Sequence, residues 1–237
     1  MEKCKLIEGF LSKFVLLKEN SHYRFSDIIN KNGNRWKYDW DIIKDNPKYK
    51  DTILGEYINS HNKKDRHRHN LFEIVKIINE HGKKNNYEIP DENELVIHLR
   101  IGDQAYNKNF MSNKYCSNLT ESANKILLET ENIKKVTFVG AFAYQVWTEE
   151  SIQAKLKNQP TWEYSDEIQQ INLDRLTYLF ETFLEKIKLP IRIYSNKDID
   201  RDIAFCVTSK YYIPGQSGFS NFLNKLALLN RQSQNFS

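Results

Sequence analysis

From residue 93 onward, short apolar runs of strand length alternate with longer stretches whose apolar residues recur at helical spacing. Apolar alternation over four to eight residues marks a strand, and a 3.6-residue period over ten or more marks a helix. By this reading residues 94–101, 136–142, 191–195 and 210–213 are strands, and residues 120–131, 166–188, 200–207 and 221–230 are helices. Pro190 ends the long second helix, whose apolar face carries Ile168, Ile171, Leu176, Leu179 and Phe183. Strands separated by helices pair in parallel, because each crossover returns the chain to the same end of the sheet. The expected fold is therefore α/β, a Rossmann-like parallel sheet flanked by helices. Ligands of such sheets bind beyond the carboxyl ends of the strands, so the residues just after each strand carry the functional signal.

The first ninety residues lack this regularity. Leu6, Ile7, Phe10, Leu11, Phe14 and Val15 predict an amphipathic helix within residues 1–20. Leu71, Ile74, Val75 and Ile78 predict another over residues 69–81, ended by Gly82, with a polar link over 83–88 closed by Pro90. The expected organisation is a helical or mixed region over 1–90 and a ligand-binding domain over 91–237.

Composition narrows the function classes. Apolar residues make up 40% of the 237, enough for a packed core. The net charge of +4 is mild for a dedicated nucleic-acid binder, which concentrates positive charge on one face, and suits a basic cleft for a small anion. Cys4, Cys116 and Cys206 form neither a CxxC pair nor a metal knuckle, and their odd number argues against a disulfide framework. They read as reduced thiols. With no signal-peptide or membrane-span pattern, the expected location is cytoplasmic with no transmembrane segment. Asn118-Leu119-Thr120 is a glycosylation triplet, set aside for lack of a secretory signal. Arg66-His67-Arg68-His69 reads as a solvated basic turn, so no metal is expected. Trp36 and Trp40 read as core, and the Trp147–Trp162 loop serves equally as an acceptor lip or a surface anchor.

Three segments carry chemistry. In Leu95-Val96-Ile97-His98-Leu99-Arg100-Ile101-Gly102-Asp103, side chains alternate, so His98 and Arg100 project from one face at the strand's carboxyl end. Gly102 lets the backbone turn sharply, and an arginine fork matches a phosphate. The same arginine serves equally as an ion-pair partner of Asp103. Ile191 to Asp198 is a strand followed by a turn holding Ser195 and Asn196. Near the C-terminal end, Asp202 opens a short helix, and Gly215-Gln216-Ser217-Gly218-Phe219-Ser220 forms a tight turn in which Ser217 or Ser220 can cap the next helix. The free N–H groups at such a helix start attract anions.

His98-Leu99-Arg100-Ile101-Gly102-Asp103 resembles the HxRxGD motif of the fucosyltransferase superfamily, which includes α1,2-, α1,6- and protein O-fucosyltransferases. The Ile191–Asp198 segment resembles the family strand that ends in Ser-Asp or Thr-Asp, with Asn196 in place of the acid. The last segment resembles the family's Asp before a short helix, then a strand and a Ser-x-Phe-Ser turn. The resemblance spans roughly residues 93–230 and implies a GT-B-like fold with a reduced N-terminal domain on the acceptor side. It implies a metal-independent, inverting glycosyltransferase that moves fucose from GDP-fucose, or another GDP-sugar, to a hydroxyl of a glycan or glycoconjugate. Beyond that donor no cofactor is implied. Arg100 would hold the β-phosphate with motif residues His98 and Gly102. Asp202 would contact the nucleoside, and Ser217, Gly218 and Phe219 the diphosphate, with Ser220 in the same turn. Ser195 and Asn196 would lie beside the nucleotide. Asp103 is the nearest carboxylate for a base, although no base is identifiable from sequence. Ile101 stands where many relatives carry a second arginine, and the Gly-rich opening loop of the α1,2 enzymes is missing. A catalytically inactive GDP-sugar-binding relative, or a basic nucleic-acid-binding protein, are the alternatives.

Overall fold

A computed structural model describes residues 16–17, 47, 50–60, 71–102, 113–140, 142–143, 166–196, 198–215 and 217–234. In chain order its elements are β1 (Leu16–Leu17), α1 (Ile53–Ser60), α2 (Leu71–Lys84), β2 (Glu94–His98), β3 (Ile101–Gly102), α3 (Asn113–Glu129), β4 (Lys135–Val139), β5 (Phe142–Ala143), α4 (Asp166–Lys186), β6 (Ile191–Tyr194), α5 (Ile199–Thr208), β7 (Tyr211–Ile213) and α6 (Gly218–Gln234).

The main sheet has four strands in the order β6-β4-β2-β7, all parallel. The chain steps outward from β2 to β4 to β6, then crosses back to place β7 on the free side of β2. Strand alternation splits the core. Leu95 and Ile97 of β2, with Leu99 just after it, pack with Val136 and Phe138 against α3 and α4, where Phe138 meets Phe180 and Phe183 edge-on. Val96, Val139, Tyr194 and Tyr212 face the other way, into α2, α5 and α6. Two outward crossovers place α3 and α4 on one face, and the reversed crossover puts α5 on the opposite one, as right-handed connections require. The expected parallel α/β sheet is thus present.

Local chemistry explains the joints. Buried Glu94, at the start of β2, accepts the Thr137 hydroxyl and the Asp91 N–H (2.9 Å) and pairs with Lys135 (3.2 Å), which also reaches Asp91 at 2.6 Å. This fixes the amino end of the β2–β4 pair. Edge strand β6 is tied to the segment after α2 by the two-pronged Arg192–Glu88 pair at 2.5 and 2.8 Å. Asn230 donates to Val207 O and accepts from Asn79, joining α6 to α5 and α2.

Several boundaries differ from the sequence reading. Gly82 does not stop α2, which runs to Lys84; it lies beside Ala204 of α5, where an added Cβ would make an ordinary contact at 3.7 Å. The stop is Asn86, at φ 51°. Tyr87 N–H bonds to Gly82 O and Asn86 N–H to Lys83 O, the paired bonds of a Schellman ending. The first strand ends at His98 and resumes at β3, and the run from Val136 likewise divides into β4 and β5; the short pieces pair in a second parallel sheet ordered β1-β5-β3. Leu16 and Leu17 form a strand there although they fall in the expected N-terminal helix; the rest of that helix lies outside the described residues. Helix α3 starts at Asn113 rather than Thr120 and α6 at Gly218 rather than Asn221, because both begin on polar turns that carry no apolar period. Within the glycosylation triplet, Asn118 is exposed on α3, while Thr120 is fully buried and donates to Cys116 O. Residues 53–84 share their core with the sheet, across the boundary expected near 90. Among the described residues no helix is long and apolar enough to cross a membrane.

Replacing Asn86 by glycine should leave stability within ~0.5 kcal/mol, since glycine adopts the left-handed conformation freely. Asn86→Val should lose about 1–2 kcal/mol in chemical denaturation, the cost of forcing that conformation on an ordinary side chain.

Candidate functional site

Strands β2 and β7 are neighbours, yet the chain leaves them toward opposite faces, β2 toward α3 and β7 toward α6. This is the reversal point of the sheet, the place beyond the carboxyl ends where open α/β sheets bind their ligands. The end of β2 is enclosed by glycines on both neighbours. A Cβ on Gly215 would lie 2.4 Å from His98 O and 3.6 Å from Arg100 N. A Cβ on Gly140, just after β4, would lie 2.5 Å from Leu99 O. The sequence reading gave Gly215 a role in turning the chain and overlooked Gly140. The signal for both was a glycine directly behind an apolar strand.

His98 is 7% exposed and meets the Phe219 ring edge-on at 5.6 Å, so the β2 tip touches the first turn of α6. Its Nδ1 is buried with no hydrogen-bond partner among the described residues. Burial, aided by the nearby Arg100 charge, pushes its pKa down to about 4, so the ring is neutral near pH 7. A buried nitrogen without a partner is costly and marks a place where a ligand or water completes the structure.

The turn before α6 is built by its two serines. Ser217 is the cap: its Oγ accepts from Ser220 N–H at 3.0 Å. Ser220 is fully buried; its Oγ accepts from Gly215 N–H at 2.6 Å and contacts the Tyr212 hydroxyl at 3.1 Å. The Ser220 hydroxyl therefore holds the turn in shape. Ser217 N–H bonds to Gly215 O and Asn221 N–H to Ser217 O. The N–H groups of Gly218 and Phe219 have no partner among the described residues and form the positive end of the helix beside His98.

A second group lies at the tip of β6, two strands from β2 and so roughly 10 Å away by strand spacing. Asn196 Nδ2 donates weakly to Asp202 Oδ1 at 3.4 Å. Asp202 is 8% exposed, and burial drives its pKa up to about 8 against the lowering effect of Asn196. A carboxyl in that state is protonated near neutral pH and can donate a hydrogen bond as well as accept one. Ser195 sits beside this pair in the chain, half-buried after β6.

Of the sequence-predicted residues, His98, Arg100, Ser217, Gly218, Phe219 and Ser220 gather at the β2–β7 junction, while Ser195, Asn196 and Asp202 form the β6 group. Gly102 lies in β3, paired with Ala143. Asp103, the basic His-Arg run and the tryptophan segments lie outside the described residues. Among the described residues no group of three or more His, Cys, Asp or Glu is placed to hold a metal ion. No family model matches the chain, and neither a curated protein nor a solved structure matches it.

Gly215→Ala should cost about 1–3 kcal/mol in denaturation, because the methyl meets a backbone carbonyl that cannot yield. Gly218→Ala is the control: nothing lies within 4 Å of its added carbon, and it should stay within ~0.5 kcal/mol. NMR titration of His98 should give a midpoint near 4. In unfolded chain histidine titrates near about 6.5. Between these values the unfolded chain takes up a proton that the folded one refuses, so His98 makes stability fall as pH drops through that window.

Proposed function

We propose that this protein is a glycosyltransferase of the fucosyltransferase type, with a GT-B-like nucleotide-binding half that takes a GDP-sugar, GDP-fucose foremost, and passes the sugar to a hydroxyl of a glycan or glycoconjugate with inversion. The observation that carries the reading is the meeting of two separate motifs at the sheet's reversal point: the His98–Arg100 strand end and the Gly215–Ser220 turn touch, across more than a hundred residues of chain. With no family model or known protein matching, the reading rests on these motifs and their geometry.

In this reading Arg100 and the Gly218 and Phe219 N–H groups hold the diphosphate. Sugar transfer passes through an oxocarbenium-like state as GDP departs, so the chief requirement is to neutralise charge growing on the β-phosphate. An arginine fork and a helix start do this without a metal. Neutral His98, whose Nδ1 has no partner among the described residues, adds a polar contact without adding charge. The β6 group lies along the same edge at a distance that a nucleoside diphosphate spans, and protonated Asp202 supplies both donor and acceptor to a base.

The first test is thermal stabilisation by GDP, UDP, CMP and ADP and their sugars. Stabilisation selective for GDP is expected, about 2.7 kcal/mol at a hundred times Kd. Equal response to all nucleotides, or to none, would overturn the reading. Arg100→Ala should reduce transfer about 100- to 1,000-fold, and Arg100→Lys should fare little better, since a point charge does not replace the planar fork. GDP binding without transfer or donor hydrolysis would identify a non-catalytic binder. Salt-sensitive binding to RNA or DNA would favour the nucleic-acid alternative instead.

A further inference from the structure

The turn before α6 is tied to the sheet through one side chain. Tyr212 is the central residue of β7, in register with Val96 of β2, and its ring enters the core on the side of α5 and α6. Its buried hydroxyl lies 3.1 Å from Ser220 Oγ and donates to Ser220 O at 3.3 Å. The Cys206 thiol of α5 shares a hydrogen bond with the same phenol. Ser220 Oγ in turn accepts the Gly215 N–H at 2.6 Å. Gly215 lies against the end of β2, where an added Cβ would stand 2.4 Å from His98 O. Contacts therefore run from the middle of β7, through the phenol and Ser220, to the loop that closes on β2.

These bonds leave a definite remainder. Ser217 Oγ takes the Ser220 N–H, Asn221 N–H goes to Ser217 O, and Ser217 N–H goes to Gly215 O. Both serine hydroxyls are spent on the turn itself. The N–H groups of Gly218 and Phe219 stay without a partner among the described residues, and so does the buried Nδ1 of His98, whose ring meets Phe219. Two N–H groups seat an anion well only if their directions are fixed before it arrives. A seat that must be ordered on binding loses affinity by the cost of ordering it.

We propose that Tyr212 is a positioning residue for the anion seat at the start of α6, acting through the Ser220 hydroxyl, which shapes the turn and does not touch the ligand. This rests on the reading of that turn as the place of the diphosphate. With the phenol gone, the Ser220 hydroxyl turns to its own helix backbone, as serine does in helices, and its tie to Gly215 loosens. The Gly218 and Phe219 N–H groups then have no fixed aim.

Calorimetric titration of the whole chain with inorganic pyrophosphate tests this. Tyr212→Phe and Ser220→Ala should each raise Kd about tenfold, the effect of one buried hydrogen bond. The double variant should be no weaker than either single one, since both act through the same contact. Binding is read well below the melting temperature, where a tyrosine that only stabilised the fold would lower Tm and leave Kd unchanged. A wild-type Kd in Tyr212→Phe, or losses that add in the double variant, would overturn the role of Tyr212 and leave the sugar-transfer reading standing. A wild-type chain that does not bind pyrophosphate would overturn the seat and the diphosphate reading together. The expected losses without selective stabilisation by GDP would uphold Tyr212 and overturn the GDP-sugar donor alone. Tyr212→Phe, which removes a single oxygen, decides by itself if Ser220→Ala does not accumulate.

Discussion

The structure depends on the parallel pairing of β2 with both β4 and β7. Five residues, Glu94 to His98, are all buried, with neighbours on two edges and helices on two faces. A strand so enclosed must be apolar on both sides, and its polar groups must be satisfied at its ends. Glu94 does this at the amino end, with Thr137, Asp91 and Lys135. At the carboxyl end the backbone is closed in by Gly140 and Gly215, and His98 Nδ1 has no hydrogen-bond partner among the described residues.

Crossing the sheet twice outward and once back has a second consequence. The strands flanking the reversal send their loops to opposite faces, so nothing in the connection itself fills the gap between them. The turn before α6 is then free to be shaped for contact. Ser220 and Tyr212 hold it rigid from inside, Ser217 caps the helix, and the next two N–H groups remain exposed in function if not in area. The hydroxyls most conspicuous in the sequence are mainly those that shape the turn, and the backbone does the presenting.

The helical layer over α2, α5 and α6 is held by a different kind of contact. Gly82 of α2 lies beside Ala204 of α5, Asn230 bridges three elements, and His81 of α2 lies between Glu56 of α1 and Asp200 of α5.

The sequence alone determined the α/β class, the four main strands and their helices, because hydrophobic period reports local burial and each element was long enough to show it. It also singled out the His98–Arg100 and Gly215–Ser220 segments, which the fold brings side by side. It could not place Asn86 as the end of α2, since that depended on one residue adopting a left-handed conformation where Gly82 looked the better stop. Nor could it show that Ser220 is spent on Gly215 and Tyr212, that Gly140 guards Leu99, or that His81 lies against Asp200. Those facts are contacts between residues distant in the chain, and period carries no information about which distant residues meet. Strand order and helix approach decide that, and they exist only once the whole sheet has formed.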